Sequence, residues 1–134
     1  MAALDSVAYG DAWLGTGLRF PLRPQLGALE WTRGDTLLRQ SIDTILDTEP
    51  GERVMRPDFG CGLRRYLMEP NSAGTRAAIS ADITEALTRW EPRIRVTEVA
   101  VTPGEEPALV WIDIAFVRLA DLRQDNLVYP FYLR

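Results

Sequence analysis

The chain reads as an α+β domain, with about three helices packed on one face of a small, mainly antiparallel sheet and an exposed edge strand at the C-terminus. Three observations predict this. Residues 35–47 and 73–90 repeat apolar side chains at helical spacing. Residues 94–101, 109–116 and 127–134 are rich in β-branched and aromatic residues and read as strands. A Pro103-Gly104 turn joins the first two of those strands.

Residues 1–14 are small, mixed and aperiodic, and are expected to be a flexible segment ahead of a single domain at 15–134. Leu18-Arg19-Phe20-Pro21-Leu22 alternates like a short strand, and Pro21 confines it to an edge or a strand end. Pro24 to Gly27 reads as a turn. Asp35 or Thr36 can cap a helix that runs to about Asp47. Leu38, Ile42 and Ile45 form its apolar stripe, with Leu37, Ser41 and Leu46 beside it, while Arg39, Gln40, Asp43 and Thr44 take the opposite side. Pro50-Gly51 ends that helix, and residues 51–60 read as an ordered loop or short hairpin.

Gly62 to Met68 suits a short second helix. Asn71 or Ser72 can cap a third, from Ala73 to Trp90, with Ile79, Ile83, Ala86, Leu87 and Trp90 on its stripe. Pro92 stops it. In the strand that follows the Pro-Gly turn, Val110, Ile112, Ile114 and Phe116 share one face, and Trp111, Asp113 and Ala115 the other. One face should be buried and the other mixed. The last strand contains Pro130, which cannot donate to a ladder, so it belongs at an edge.

Composition removes several kinds of chemistry. A chain of 134 residues fits one domain, and 46% hydrophobic with 25% charged residues is ordinary for a globular one. The net charge of −4 argues against a nucleic-acid partner. There is no histidine, so the commonest general base and metal ligand are missing; no metal and no cofactor is expected. Cys61 has no cysteine partner and no imidazole to activate it, and sits between two glycines as a small, partly buried residue. All 15 basic residues are arginines, which fits a GC-rich coding sequence or a preference for bidentate carboxylate contacts. No apolar run has the length of a membrane span, and Met1-Ala2-Ala3-Leu4-Asp5 does not start a signal peptide. The protein is expected to stay in the cytoplasm where it is made, or to leave it within a larger particle.

Two motifs stand out. Glu91-Pro92-Arg93 follows the long helix, where a rigid corner would hold an acceptor beside a fork-shaped donor, a geometry suited to polar docking of another chain. A helix terminator flanked by two surface charges is the plainer reading. Arg53, Arg56, Arg64 and Arg65, with Glu52 and Asp58, make a charged patch, either a solvated face or a partner surface. Glu69, Glu91, Asp58 and Asp113 are the carboxylates that glycosidase chemistry would draw on, but nothing in the sequence pairs them. Leu127, Val128, Tyr129, Phe131, Tyr132 and Leu133 make an aromatic tail strand, which either completes the domain's own sheet or shares an edge with another subunit.

These pieces carry a resemblance. Gly17-Leu18-Arg19-Phe20-Pro21, Arg39-Gln40-Ser41-Ile42, Pro50-Gly51-Glu52-Arg53-Val54-Met55-Arg56-Pro57-Asp58-Phe59-Gly60 and Glu91-Pro92-Arg93-Ile94 follow one another in an order that resembles the baseplate wedge and sheath-initiator family of contractile tails. That family takes in the phage tail wedge protein with its historical lysozyme label, the type VI secretion counterpart, and the baseplate protein of extracellular contractile injection systems. The resemblance implies a structural role and no enzyme activity. It implies that Glu91, Pro92 and Arg93, with Arg53 and Arg56, contact the core bundle of the baseplate wedge proteins. It further implies that residues 127–133 offer the sheath protein a shared sheet edge that templates the first sheath ring. Tube or spike-hub proteins would be neighbours, with several copies in a ring. The alternatives are an anti-adaptor-like regulatory binding protein of the same fold and a peptidoglycan-cleaving, lysozyme-like enzyme.

Overall fold

The computed structural model describes residues 15–19, 22, 24–29 and 31–133. The segment expected to be flexible, 1–14, and part of the strand expected at 18–22 lie outside the described residues. The chain parts into two compact units, Met1–Asp43 and Thr44–Arg134, with the boundary inside the first helix.

In the first unit, β1 (Thr16–Leu18) pairs antiparallel with β4 (Trp31–Arg33). Between them β2 (Pro24–Gln25) and β3 (Ala28–Leu29) form a small hairpin. Its two turn residues, Leu26 and Gly27, both have positive φ, the geometry that suits the right-handed twist of a tight hairpin. The first helix, α1 (Gly34–Asp47), starts directly after β4. Arg39 Nε donates to Asp35 one turn back at 2.9 Å, and Gln40 Nε2 donates to the Leu18 carbonyl at 2.7 Å, tying α1 to β1. The expected stripe is buried along the whole helix: Leu38 and Ile42 in the first unit, Ile45 and Leu46 in the second.

The second unit is a three-stranded antiparallel sheet with the order β5-β6-β7, formed by β5 (Ile94–Pro103), β6 (Leu109–Arg118) and β7 (Gln124–Tyr132). The second helix, α2 (Ala73–Trp90), lies against β5. The Ser72 hydroxyl caps it by accepting the Thr75 N–H at 3.2 Å. Ile79, Ile83, Ala86 and Leu87 of α2 and Val110, Ile112, Ile114 and Phe116 of β6 are all buried, as their periodicities predict. At about 25 cal/mol per Å² of apolar surface, this helix-on-sheet core is the main driving force for folding of the unit.

Among the described residues the expected three helices are two. Residues 62–68 form only a 3-10 turn, Leu63–Tyr66. Gly62 and Met68 both adopt positive φ (75° and 71°) and Leu67 is extended, so helical backbone is confined to the four residues between them. The α+β class stands.

The loop after α1 is ordered around one backbone group. The Thr48 carbonyl accepts the Cys61 N–H at 3.0 Å, closing residues 48–61 into a ring. Gly60 makes that closure possible: its φ is 124°, and a Cβ there would lie 2.3 Å from the Thr48 oxygen. Gly60→Ala is therefore expected to cost about 2–4 kcal/mol, strain and clash together, against about 1 kcal/mol for Gly51→Ala. Gly51 also has positive φ, but nothing lies within 4 Å of its would-be Cβ. Urea melts of the two variants check the difference; equal losses would show that the close approach to Thr48 is absent.

Candidate docking surfaces

Within the ring at 48–61, Arg53 and Arg56 form an isolated antiparallel bridge, and the Arg56 N–H donates to the Arg53 carbonyl at 3.3 Å. This tight turn places Val54 and Met55 at its tip, 94% and 88% exposed. Glu49 braces the base of the loop, its carboxylate accepting the Arg64 N–H at 2.9 Å. Arg64 in turn pairs with Glu52 at 2.9 Å. The loop is built, with its apolar tip and both arginines facing outward.

That loop docks on the end of α2. The rings of Phe59 and Trp90 lie 5.1 Å apart with their planes tilted by 58°. Asp58 pairs with Arg89 at 2.5 Å, and the Arg53 guanidinium stacks 4.3 Å above the Phe59 ring. The two stretches singled out in the sequence thus meet in space. Arg53 touches Phe59, Phe59 touches Trp90, and the next residue is Glu91.

At the corner itself, α2 ends with the Glu91 N–H bonded to the Leu87 carbonyl at 2.9 Å. The Glu91 side chain is 1% exposed and takes the Arg93 fork in bidentate fashion, Nε to Oε1 at 2.6 Å and Nη2 to Oε2 at 2.8 Å. That hydrogen bond holds the Arg93 guanidinium above its ordinary pKa, so it stays charged. Pro92 is exposed, and the Arg93 side chain is 24% exposed. The corner was expected to present both charges outward. Glu91 instead faces inward and sets Arg93, leaving Pro92 and part of Arg93 on the surface.

Arg118 is a further buried charge at this end, and nothing in the sequence pointed to it. It is 1% exposed and sits opposite Ile94 in the ladder, with Nη2 3.1 Å from Asp121. The Leu119 N–H donates to the Arg93 carbonyl at 3.1 Å, so the end of β6 and the corner share backbone as well as charge.

The tail strand β7 is an edge, and its ladder shows which groups are on offer. Leu133 N–H donates to the Ala108 carbonyl at 2.8 Å and Arg118 N–H to the Arg123 carbonyl at 2.9 Å. The register between these points is unbroken, and antiparallel bonding alternates. Residues 125, 127, 129 and 131 therefore turn their backbone groups to β6. Residues 124, 126, 128, 130 and 132 turn theirs outward. Among the described residues no strand pairs with β7 on that side. Side chains alternate to match: Leu127, Tyr129 and Phe131 are half-buried, Val128 and Tyr132 exposed, and Leu133 buried. Leu133 anchors the strand to its own unit, its carbonyl accepting the Met68 N–H at 2.6 Å. The other edge, β5, is guarded by a bulge between Val96 and Glu98 and by Ser80 of α2, whose hydroxyl donates to the Val99 carbonyl at 2.7 Å.

The carboxylates considered for glycosidase chemistry go to separate partners. Asp58 pairs with Arg89, Glu91 with Arg93, and Asp113 accepts from Asn126 at 3.3 Å. Glu69 is exposed. A cavity of about 300 Å³ beside the loop is lined by Asp58, Cys61, Arg65, Asp82, Glu85 and Trp90 among others. Asp82 accepts from both Arg65 and the Tyr66 hydroxyl. Burial, then the Asp82 and Glu49 carboxylates, push the Cys61 thiol up to about 12, so it stays protonated and inert. Among the described residues no cluster of Cys, Asp or Glu could hold a metal ion, and no helix is long and apolar enough to cross a membrane.

A family model described as baseplate wedge protein gp25 matches residues 32–122, which include the loop, α2 and the corner. The chain belongs to that baseplate wedge family. Baseplate protein W of Escherichia phage P2 is 36% identical over 62 residues, 46% of this chain and 54% of the phage protein, so the chain spans about half the length of that relative. A chain of the anti-feeding prophage baseplate, in a six-fold symmetrised structure, aligns with a TM-score of 0.69 and 25% identity over 93% of this chain and 90% of its own. A Geobacter sulfurreducens protein carrying a tail-lysozyme label aligns with a TM-score of 0.67 and 42% identity over 72% of this chain and 88% of its own. β7, at Gln124–Tyr132, lies beyond the family match.

The buried fork makes an asymmetric prediction. Arg93→Ala removes the fork from a carboxylate that is 1% exposed and is expected to cost about 3 kcal/mol. Glu91→Gln keeps the size and one acceptor and is expected to cost about 1–2 kcal/mol. Thermal and urea unfolding of both variants measures the order; a larger loss for Glu91→Gln would contradict it.

Proposed function

We propose that the chain is a structural component of the baseplate of a contractile injection system, working through two surfaces and catalysing nothing. One surface is the loop-and-corner unit of Arg53, Arg56, Pro92 and Arg93, which docks on the core bundle of the wedge proteins. The other is the outer edge of β7, residues 127–133, which offers the sheath protein a strand partner and so templates the first sheath ring. Several copies stand in a ring, and the protein works as part of an assembled particle after synthesis in the cytoplasm.

The observation that carries this reading is the convergence of loop and corner. Two stretches some thirty residues apart in sequence are brought together by the Phe59–Trp90 and Asp58–Arg89 contacts. Arg53, Arg56 and the Val54–Met55 tip are exposed there. An exposed apolar pair flanked by cations suits a partner with an apolar groove and an acidic rim. The separate engagement of Asp58, Glu91 and Asp113 supports a structural role over the hydrolytic one named in the tail-lysozyme label.

Two experiments test the two surfaces. Arg53→Glu with Arg56→Glu reverses exposed charges and gives up the Arg53–Phe59 stack, so the melting temperature should fall by no more than about 5 °C while co-purification with wedge proteins falls about tenfold or more. Unchanged co-purification would remove the loop from the interface. Val128→Pro deletes an outward N–H and leaves the β6 ladder intact. Particles carrying it should form baseplates without sheaths, seen by electron microscopy; sheaths of normal length on those baseplates would show that β7 is not the initiation edge.

A further inference from the structure

We infer that Pro130 is a selectivity residue of the β7 edge: it prevents the edge from pairing with a second copy of this chain while leaving it open to a strand of different sequence. The inference rests on the proposed function only in taking β7 as an edge that receives a strand. Its own support is the direction of backbone groups along β7.

Pro130 stands opposite Trp111, between the pairs Val110–Phe131 and Ile112–Tyr129. Its position in the alternation points its nitrogen outward, away from β6. The missing N–H therefore costs the domain's own sheet nothing, and the loss falls wholly on the free edge. The outward donors that remain on β7 are Gln124, Asn126, Val128 and Tyr132. Asn126 is compromised as well, since its N–H donates to the Asp125 carboxylate at 2.8 Å.

Now consider two β7 edges meeting antiparallel about a two-fold axis. Full overlap centres on Val128 and sets Pro130 of one copy opposite Asn126 of the other. A bonded antiparallel pair exchanges two N–H···O bonds. Here Pro130 has no N–H to give, and that of Asn126 is already committed to Asp125. The pair makes neither bond, and the two-fold axis repeats the gap. A register centred on Pro130 sets proline against proline, again with no donor on either side. A register centred on Tyr129 sets Val128 against Pro130 on both flanks and loses one bond of two in each pair. Every self-pairing register that overlaps the strand well thus meets proline at its centre or on both flanks, where a foreign strand meets it once.

A different strand meets a milder edge. With an ordinary residue opposite Pro130, that residue's N–H still donates to the outward Pro130 carbonyl, and Val128 and Tyr132 can each exchange both bonds. The side chains define the strand that fits. Val128, Pro130 and Tyr132 are exposed on the outer face, next to Trp111 at 40% exposure, and Tyr129 and Phe131 are half-buried on the inner face. The incoming strand should be apolar on both faces, carry an N–H opposite Pro130, and come from another protein. An apolar aromatic edge without such a guard would be a hazard for self-association.

The test is the association state of the full-length protein. Pro130→Val restores an outward donor at a position whose side chain is exposed. By light scattering coupled to size-exclusion chromatography, the wild type is expected to stay monomeric, and Pro130→Val to dimerise about tenfold more tightly or better. Phe131→Pro is the control, since its nitrogen faces β6; it should lower the melting temperature sharply while Pro130→Val does not. Hydrogen exchange at position 130 of the valine variant should be fast in dilute monomer and slow in the dimer. A Pro130→Val protein that folds and self-associates no more than wild type would overturn the inference, as would a melting loss equal to that of Phe131→Pro. Loss of sheath binding by the wild type would sink the proposed partner and leave this result standing.

Discussion

The surface of this protein depends on a carboxylate that is not part of it. Glu91 lies at the point where α2 gives way to β5, and it is buried with both oxygens on the Arg93 fork. A charge so deeply desolvated is tolerated only when its partner is held in place. The pair spans one residue, Pro92, whose fixed φ stiffens the turn. The exit direction of the chain from the helix is thereby set, and with it the start of β5. Since the Leu119 N–H bonds the Arg93 carbonyl, the end of β6 is set as well. The motif is better understood as an internal brace that aims an external surface than as a pair of exposed contacts.

The loop at 48–61 extends that surface by a second brace. Gly60 lets the chain close on Thr48, and Phe59 and Asp58 then reach Trp90 and Arg89. Aromatic contact and ion pair here are individually small, about 1 kcal/mol each, and the ion pair is exposed. Their value lies in geometry: they hold Arg53, Arg56 and the Val54–Met55 tip at a defined place against the end of α2. An interface assembled from a preformed loop loses less ordering entropy on binding than one made from a mobile segment.

Much of the second unit was legible in the sequence. The stripe Ile79, Ile83, Ala86, Leu87 and the alternation Val110, Ile112, Ile114, Phe116 are strong periodic signals, and both segments form the expected elements and are buried. Pro130 marked β7 as an edge, although the sequence could not say which side its nitrogen faces. That needed the register. The short helix expected at 62–68 failed because glycine and methionine at its ends adopt left-handed conformations that no propensity argument anticipates for Met68. The burial of Glu91 and Arg118 was not legible either. A charged residue reads as surface unless its partner is known, and the Arg118–Ile94 register joins strands whose ends are 24 residues apart.

The two proposed docking surfaces make the same demand of the assembled particle: each should be covered there. A cryo-EM map of a baseplate containing this chain with its sheath attached measures this directly. Arg53, Arg56 and Pro92 are expected to lie together within contact distance of one helical partner. The outward backbone of Val128 and Tyr132 is expected to be hydrogen-bonded to a strand of the sheath protein. A map in which the loop and corner face solvent, and β7 pairs with a second copy of this chain or with nothing, would contradict both.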